Sequence, residues 1–154
     1  MSAANIPKST QQKKVRILVT GGGGFVGSHL AKELLGQGHF VRVVDINWSG
    51  YMEGPYASER LTLDLRDPEN ARRAAKDIDW VFHLAADMGG IGYITQVGAD
   101  IMRNSSLLNL SMLTAAVEND VERFFFSSSA CVYPEYRQLD ATAAQRRTCP
   151  SGSA

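Results

Sequence analysis

The chain has 154 residues, 44% hydrophobic and 21% charged, enough apolar side chains for one globular domain with a core of its own. Its 16 basic and 16 acidic residues cancel and form no basic run or face, which argues against an electrostatic grip on nucleic acid or a polybasic membrane anchor and toward a small-molecule partner. Two cysteines, Cys131 and Cys149, are too few for a disulfide framework, the polar start from Met1 to Lys14 lacks the apolar core of a signal peptide, and no apolar stretch approaches the roughly 20 residues that span a bilayer, so the expected location is the cytoplasm.

After the leader, residues 1–14, the run Val15 to Thr20 predicts a buried strand, short, β-branched and closed by glycines. Phe25 to Leu35 carries apolar residues at Val26, Leu30, Leu34 and Leu35, a helical spacing that Gly36 and Gly38 stop. Phe40 to Asp45 predicts a second strand and Leu61 to Leu65 a third, and Pro68 opens a short helix to about Lys76 because proline is tolerated in a first helical turn. A fourth strand is expected over Asp79 to Leu84. A helix over about Thr95 to Glu118 follows, with apolar positions at Ile101, Leu108, Met112, Leu113 and Val117, and Arg123 to Phe126 reads as a fifth strand. Such alternation implies right-handed crossovers and a doubly wound α/β domain, a parallel sheet with helices on both faces. His83, inside an apolar strand, is expected to be a satisfied core histidine, and Met88 a packing residue. From about Gln138 to Ala154 no periodicity remains, and no structure is predicted there.

Thr20-Gly21-Gly22-Gly23-Gly24-Phe25-Val26-Gly27 lies where strand one turns into helix one. Gly22, Gly24 and Gly27 fit G-x-G-x-x-G, and Gly21, Gly24 and Gly27 fit G-x-x-G-x-x-G. Either spacing permits a tight turn, lets a pyrophosphate approach main-chain N–H groups at the positive end of a helix, and lets helix pack on strand. A flexible loop is the bland alternative, but the strand before, the helix after and Asp45 closing strand two supply the context of a Rossmann-type dinucleotide site. A carboxylate at Asp45 accepts hydrogen bonds from the adenosine ribose hydroxyls and repels the extra phosphate of NADP, so NAD is the expected cofactor. Asp64, after strand three, is a candidate for the adenine edge, with helix capping before Pro68 as the competing role.

The glycine turn, His83-Leu84-Ala85-Ala86-Asp87-Met88-Gly89-Gly90-Ile91-Gly92 and Ser127-Ser128-Ser129-Ala130-Cys131-Val132-Tyr133-Pro134-Glu135 together resemble the nucleotide-sugar epimerases of the extended short-chain dehydrogenase/reductase type, and within them the GDP-mannose 3,5-epimerase family. The first motif is shared widely. The second and third are much narrower, and the related GDP-fucose synthases lack the Asp-Met before the Gly-Gly pair. The resemblance runs from about Arg16 to Leu139.

It implies an isomerase that uses NAD to oxidise C4 of GDP-mannose transiently, exchanges protons at C3 and C5 and returns the hydride. It places Gly21, Gly24, Phe25, Val26, Gly27, Asp45, Asp64, Leu84, Ala85 and Ala86 beside the cofactor, the two alanines letting its backbone pass close to the sheet. Gly89 and Gly90 would lie against the hexose, where side chains obstruct the ring. Ser128 and Ser129, at the carboxyl end of strand five, would face the same crevice, Ser129 matching the hydroxyl that assists the catalytic tyrosine; a serine run that merely ends a strand with local backbone bonds is the alternative. Cys131, with an unperturbed thiol pKa of about 8.5, matches the proton-exchanging residue, against the usual inert buried thiol. Asn104 falls where the family often has two adjacent asparagines, and Ser105 departs from that pattern. No metal is implied, and a homodimer is the assembly the full-length form suggests.

One element of the family is missing from these 154 residues. The superfamily depends on a Tyr-x-x-x-Lys pair in which lysine lowers the tyrosine pKa, yet no lysine follows Lys76, and Tyr133 to Arg137 offers only Tyr-x-x-x-Arg beside a proline. The expected organisation is a leader over 1–14, a dinucleotide-binding domain over 15–137 truncated after about five strands, a structureless tail over 138–154, and no sugar-nucleotide domain. Such a chain is expected to be inactive alone. The alternatives are another nucleotide-sugar epimerase or dehydratase, including the GDP-fucose synthase kind, and a non-catalytic NAD-binding module.

Overall fold

Continuous apolar runs become strands that are covered on both sides. In a computed structural model, which describes residues 13–51, 54–87, 98–129 and 132, the two such runs are β1 (Arg16–Thr20) and β2 (Phe40–Asp45), side by side and buried except at their ends. Six further elements surround them: α1 (Phe25–Gly36), β3 (Glu59–Thr62), α2 (Pro68–Ala75), β4 (Trp80–His83), α3 (Gly98–Glu118) and β5 (Arg123–Phe126). The five strands form one parallel sheet in the order β3-β2-β1-β4-β5. Strand order reverses between β1 and β4, which opens a crevice at their carboxyl ends.

Side chains alternate across the sheet. Leu18, Val44 and Val81 point to one face, where Ala71, Ala74 and Ala75 of α2 and Leu108, Met112 and Ala115 of α3 cover them. Ile17, Val19, Val41 and Val43 point to the other, under Ala31 and Leu34 of α1. The doubly wound architecture expected from the alternation is therefore present. One buried charge lies within the central pair: Arg42 of β2, whose guanidinium donates to the Ala74 and Lys76 carbonyls at 2.8 and 2.7 Å and pairs with Glu59 at 2.7 Å. It satisfies carbonyls that the end of α2 leaves without helical partners.

Several expectations need correcting. Strand three runs over Glu59–Thr62 and not Leu61 to Leu65. As an edge strand it carries polar residues, and the chain leaves the sheet at Leu63, whose N–H still reaches the Asp45 carbonyl at 3.2 Å, so that Leu65 drops into the core beside α2. Strands one and four are each shorter than expected, Arg16–Thr20 and Trp80–His83. Val26 is 63% exposed; the buried stripe of α1 is Gly27, Ser28, Ala31 and Leu34, the small residues that let the helix lie close to the sheet. On α3, Leu113 and Val117 also face outward, and the buried stripe is Leu108, Ser111, Met112, Ala115 and Ala116. Residues 95–97, expected to begin this helix, lie outside the described residues.

Candidate functional site

A cleft of about 730 Å³ opens along the carboxyl ends of β1, β2 and β4 and the segment after β3. That volume lies within the range of small-molecule and cofactor sites. Its floor is built by the glycine turn. Gly21 has φ +72°, a conformation side chains rarely adopt, and a Cβ there would lie 2.9 Å from the Ala85 nitrogen. At Gly27 a Cβ would overlap the Gly21 carbonyl oxygen, so α1 packs directly on the turn. Gly22 and Gly23 are also closely packed, against Val43 and the Asn47 carbonyl. Amides of Gly21 and Gly22 both donate to the Val44 carbonyl, at 2.9 and 3.2 Å, and the Tyr56 hydroxyl donates to the Gly22 carbonyl at 3.2 Å.

Gly24 is the N-cap of α1 and offers no side-chain cap, and the first turn of the helix has no acidic residue. The positive end of this helix therefore reaches the cleft, lined there by Gly24 and Phe25, with no acidic residue in its own first turn. Asp45 forms the next wall. Its Oδ2 accepts from the Gly23 amide at 2.9 Å and its Oδ1 from the Asn47 amide at 3.0 Å. A carboxylate has about four acceptor positions, so two remain for a ligand's hydroxyls.

Asp64 also lines the cleft, but its competing role as helix cap belongs to another residue. Asp67 caps α2, its carboxylate accepting from the Glu69 amide at 2.9 Å, and Pro68 follows at the first helical position. Asp64 instead accepts from the Arg66 amide at 3.0 Å and from its guanidinium at 2.6 Å, and that side-chain hydrogen bond holds the Asp64 carboxyl below the usual carboxylate range. Leu84, Ala85 and Ala86 line the opposite wall together with Asp87, which accepts from Asn104 at 2.8 Å. Phe25 reaches the mouth of the cleft, where Tyr51 meets it edge to face at 5.9 Å. Val26 and Gly27 lie away from the lining, the first exposed and the second beneath the turn.

At the end of β5 the Ser127 amide donates to the His83 carbonyl at 3.1 Å, and the chain passes outward through exposed Ser128 and Ser129, whose carbonyl accepts from Val132 at 3.3 Å. Cys131, Gly89 and Gly90 fall outside the described residues, as do Met88 and the Tyr133 to Arg137 spacing. Among the described residues no three His, Cys, Asp or Glu side chains gather as a metal site, and no helix is long and apolar enough to cross a membrane.

Sequence reasoning missed Tyr56, Tyr51 and Thr20. No local pattern marks them, because each acquires its role only when a loop or strand end folds back on the glycine turn. Arg66 was legible in principle from the Asp-Leu-Arg spacing, and Asp67 from its place before Pro68.

Comparison with known proteins agrees with this geometry. Residues 17–153 match the family described as NAD dependent epimerase/dehydratase. The chain is 41% identical over 137 residues to GDP-mannose 3,5-epimerase 1 of Oryza sativa subsp. indica, an alignment covering 88% of this chain and 36% of that protein. It is likewise 41% identical to GDP-mannose 3,5-epimerase of Arabidopsis thaliana, over 84% of this chain and 35% of the relative. Among solved structures, UDP-glucose-4-epimerase of Stenotrophomonas maltophila, determined with bound NAD and formylated UDP-arabinopyranose, superposes with a TM-score of 0.68 at 30% identity, covering 77% of this chain and 38% of the other. The chain thus spans little more than a third of the length of the curated relatives it matches. With its five parallel strands, its glycine turn beneath α1 and a family match over most of its length, the chain belongs to the NAD-dependent epimerase/dehydratase family.

Proposed function

We propose that this chain is the NAD-binding part of a nucleotide-sugar epimerase of the GDP-mannose 3,5-epimerase kind. The observation that carries the cofactor is the shared cleft: the uncapped start of α1 and the Asp45 carboxylate stand on adjacent walls at the strand-order reversal. An anionic pyrophosphate is stabilised at the helix start by free N–H groups and the helix dipole. Ribose hydroxyls donate to Asp45, and a 2′-phosphate in the same place is repelled by it. The Ala85 and Ala86 side chains are small enough for a ligand to lie close to β4. When bound, NAD supplies a hydride acceptor that is regenerated within one turnover.

The sugar nucleotide is assigned from the narrow motifs and the 41% identity to two plant GDP-mannose 3,5-epimerases. On this reading Gly89 and Gly90 lie beside the hexose, Ser128 and Ser129 bind its hydroxyls, and Ser129 holds the C4 hydroxyl as its proton leaves. Cys131 exchanges protons at C3 and C5 once the C4 ketone has acidified those positions. Residues 15–137 form the cofactor domain, and the full-length protein works as a cytoplasmic homodimer.

Calorimetric titration of the purified chain with NAD and NADP tests the cofactor directly. NAD is expected to bind more tightly, and Asp45→Ala to weaken NAD and narrow the difference. Equal or tighter binding of NADP by the unsubstituted chain would overturn the assignment.

A further inference from the structure

His83, the titratable side chain of β4, is buried at 1% exposure, and the chemistry proposed above does not use it. Its ring touches two partners: Nδ1 lies 2.8 Å from the Thr20 hydroxyl and Nε2 lies 2.9 Å from the Asn109 side-chain oxygen on α3. Phe124 and Phe126 of β5 flank it at 5.7 and 6.1 Å between ring centres. Asn109 can donate only through its amide nitrogen, so its oxygen must accept from Nε2–H.

Thr20 supplies an independent count. Its hydroxyl oxygen accepts from the amides of Leu84 at 3.2 Å and Ala85 at 3.1 Å. A hydroxyl has two acceptor positions and one proton. Both acceptor positions are taken, so the proton is directed at His83 Nδ1, which must be the bare nitrogen. The two ends of the ring therefore agree on one form, neutral imidazole with hydrogen on Nε2. Burial, which lowers the histidine pKa, favours the same neutral state.

The amides at the far end of this chain of bonds belong to the cleft wall. β1 and β4 end at Thr20 and His83, paired in register, so the Leu84 and Ala85 amides lie beyond the last ladder position. The Thr20 side chain takes over as their acceptor at the point where a Cβ on Gly21 would meet the Ala85 nitrogen and the Leu84 carbonyl carbon at 2.9 and 3.1 Å. A shift of either amide would thus be felt in the glycine turn.

We propose that His83 is a positioning residue for the dinucleotide cleft: locked as the neutral Nε2–H tautomer between Asn109 and Thr20, it aims the Thr20 hydroxyl oxygen at the Leu84 and Ala85 amides and so fixes the β4 wall against the glycine turn. This rests on the NAD reading above. His83 touches no reacting atom, and its effect reaches the ligand through Thr20 and the two amides.

The experiment has two arms on the full 154-residue chain. The first is a long-range ¹⁵N–¹H NMR correlation of the histidine rings, with the His83 signals assigned by their loss in His83→Gln. The Nε2–H tautomer is expected, and an Nδ1–H tautomer or a doubly protonated ring near neutral pH would overturn the relay. The second measures NAD affinity of folded protein, checked by circular dichroism, for His83→Phe, His83→Gln and Thr20→Ser. His83→Phe fills the space without an acceptor and is expected to weaken NAD roughly tenfold, the scale of one buried group left without its partner. His83→Gln, with an oxygen to accept and a nitrogen to donate, and Thr20→Ser, which keeps the hydroxyl, are expected to restore most of the affinity. A folded His83→Phe with wild-type affinity, or Gln and Phe variants that behave alike, would refute the positioning role; were His83→Phe not to fold, the tautomer and the Thr20→Ser affinity would still decide it. Absence of NAD binding by the wild-type chain would sink the cofactor reading and the cleft role with it, whereas an Nδ1–H ring in a chain that binds NAD would sink the relay alone.

Discussion

Replacing Gly27 by alanine tests whether the floor of the cleft depends on direct contact between α1 and the glycine turn. The new Cβ would overlap the Gly21 carbonyl oxygen and lie 2.8 Å from the Gly21 carbonyl carbon and 3.0 Å from the Gly22 Cα. All three neighbours are backbone, so no side chain can swing aside. The turn cannot retreat cheaply either, because Gly21 and Gly22 are bonded to Val44, and Gly22 accepts from Tyr56. Overpacking of this kind costs about 1–3 kcal/mol, and parting the turn adds about 1 kcal/mol for each hydrogen bond strained, against a gain of up to about 1 kcal/mol for alanine over glycine in a helix. A net loss of about 2–3 kcal/mol corresponds to a fall in Tm of about 4–12 °C for a chain of this size. Gly36→Ala is the control: it lies in the same helix with nothing within 4 Å of the added methyl group, and its Tm should stay level or rise by about 2 °C. Thermal melts followed by the fluorescence of Trp48 and Trp80, at matched concentrations, read both. A Gly27→Ala Tm within about 2 °C of wild type would refute the close-contact argument; the same variant should also lose NAD affinity.

Leu110, Leu113 and Val117 on α3 and Phe125 and Phe126 on the edge strand β5 are all at least half exposed, so the isolated chain should associate as concentration rises, and Leu113→Lys with Val117→Lys should reduce this in sedimentation velocity; a monodisperse wild-type monomer that melts sharply and reversibly would count against it. Because burial depresses the His83 pKa in the folded state, the unfolded chain binds the extra proton first: the stabilisation from neutral His83 is complete above the ordinary value of 6.5 and is lost as pH falls from there toward the depressed folded value, which urea titrations at successive pH values would show and which His83→Gln should flatten. Asp64 is depressed too, by its bond to Arg66, so its smaller, solvent-screened contribution is lost only below about the ordinary value of 3.8. If the proposed function holds, the chain alone, incubated with NAD and GDP-mannose in deuterated water, should place no solvent deuterium at C3 or C5 of the hexose: a positioned base contributes roughly 10²- to 10⁴-fold and substrate orientation roughly 7–11 kcal/mol, and in that proposal Cys131 would act only once the ketone has formed. Incorporation above a protein-free control would show that these 154 residues, or two copies of them, suffice for proton exchange.

Much of the architecture was legible because its signals are local. β1 and β2 are apolar runs covered on both faces, and helix starts at Phe25 and Pro68 are marked by glycine and proline chemistry within a turn of the boundary. Alternation of strand and helix then leaves few topologies, since parallel crossovers have one hand. Asp45 could be placed in the site from order alone: the end of the second strand must lie beside the end of the first.

Distance in the chain decided the rest. Edge strand β3 carries polar side chains because solvent covers one of its faces, so its limits came from pairing with β2 and the Arg42–Glu59 ion pair and not from apolar pattern. Val26, Leu113 and Val117 have helical spacing yet face outward, because spacing identifies a stripe without saying which stripe the sheet will cover, and here small residues won the close contacts. Asp64 lost the capping role to Asp67, whose carboxylate accepts from the Glu69 amide, the first that α2 offers after Pro68. His83 was readable as a buried, satisfied histidine, but its partners stand 63 residues before it and 26 after it. Sequence alone determined which elements form and at which strand ends a cleft opens; tertiary structure decided which faces are buried and which polar groups meet, because hydrogen bonds between distant residues are set only when the sheet closes around them.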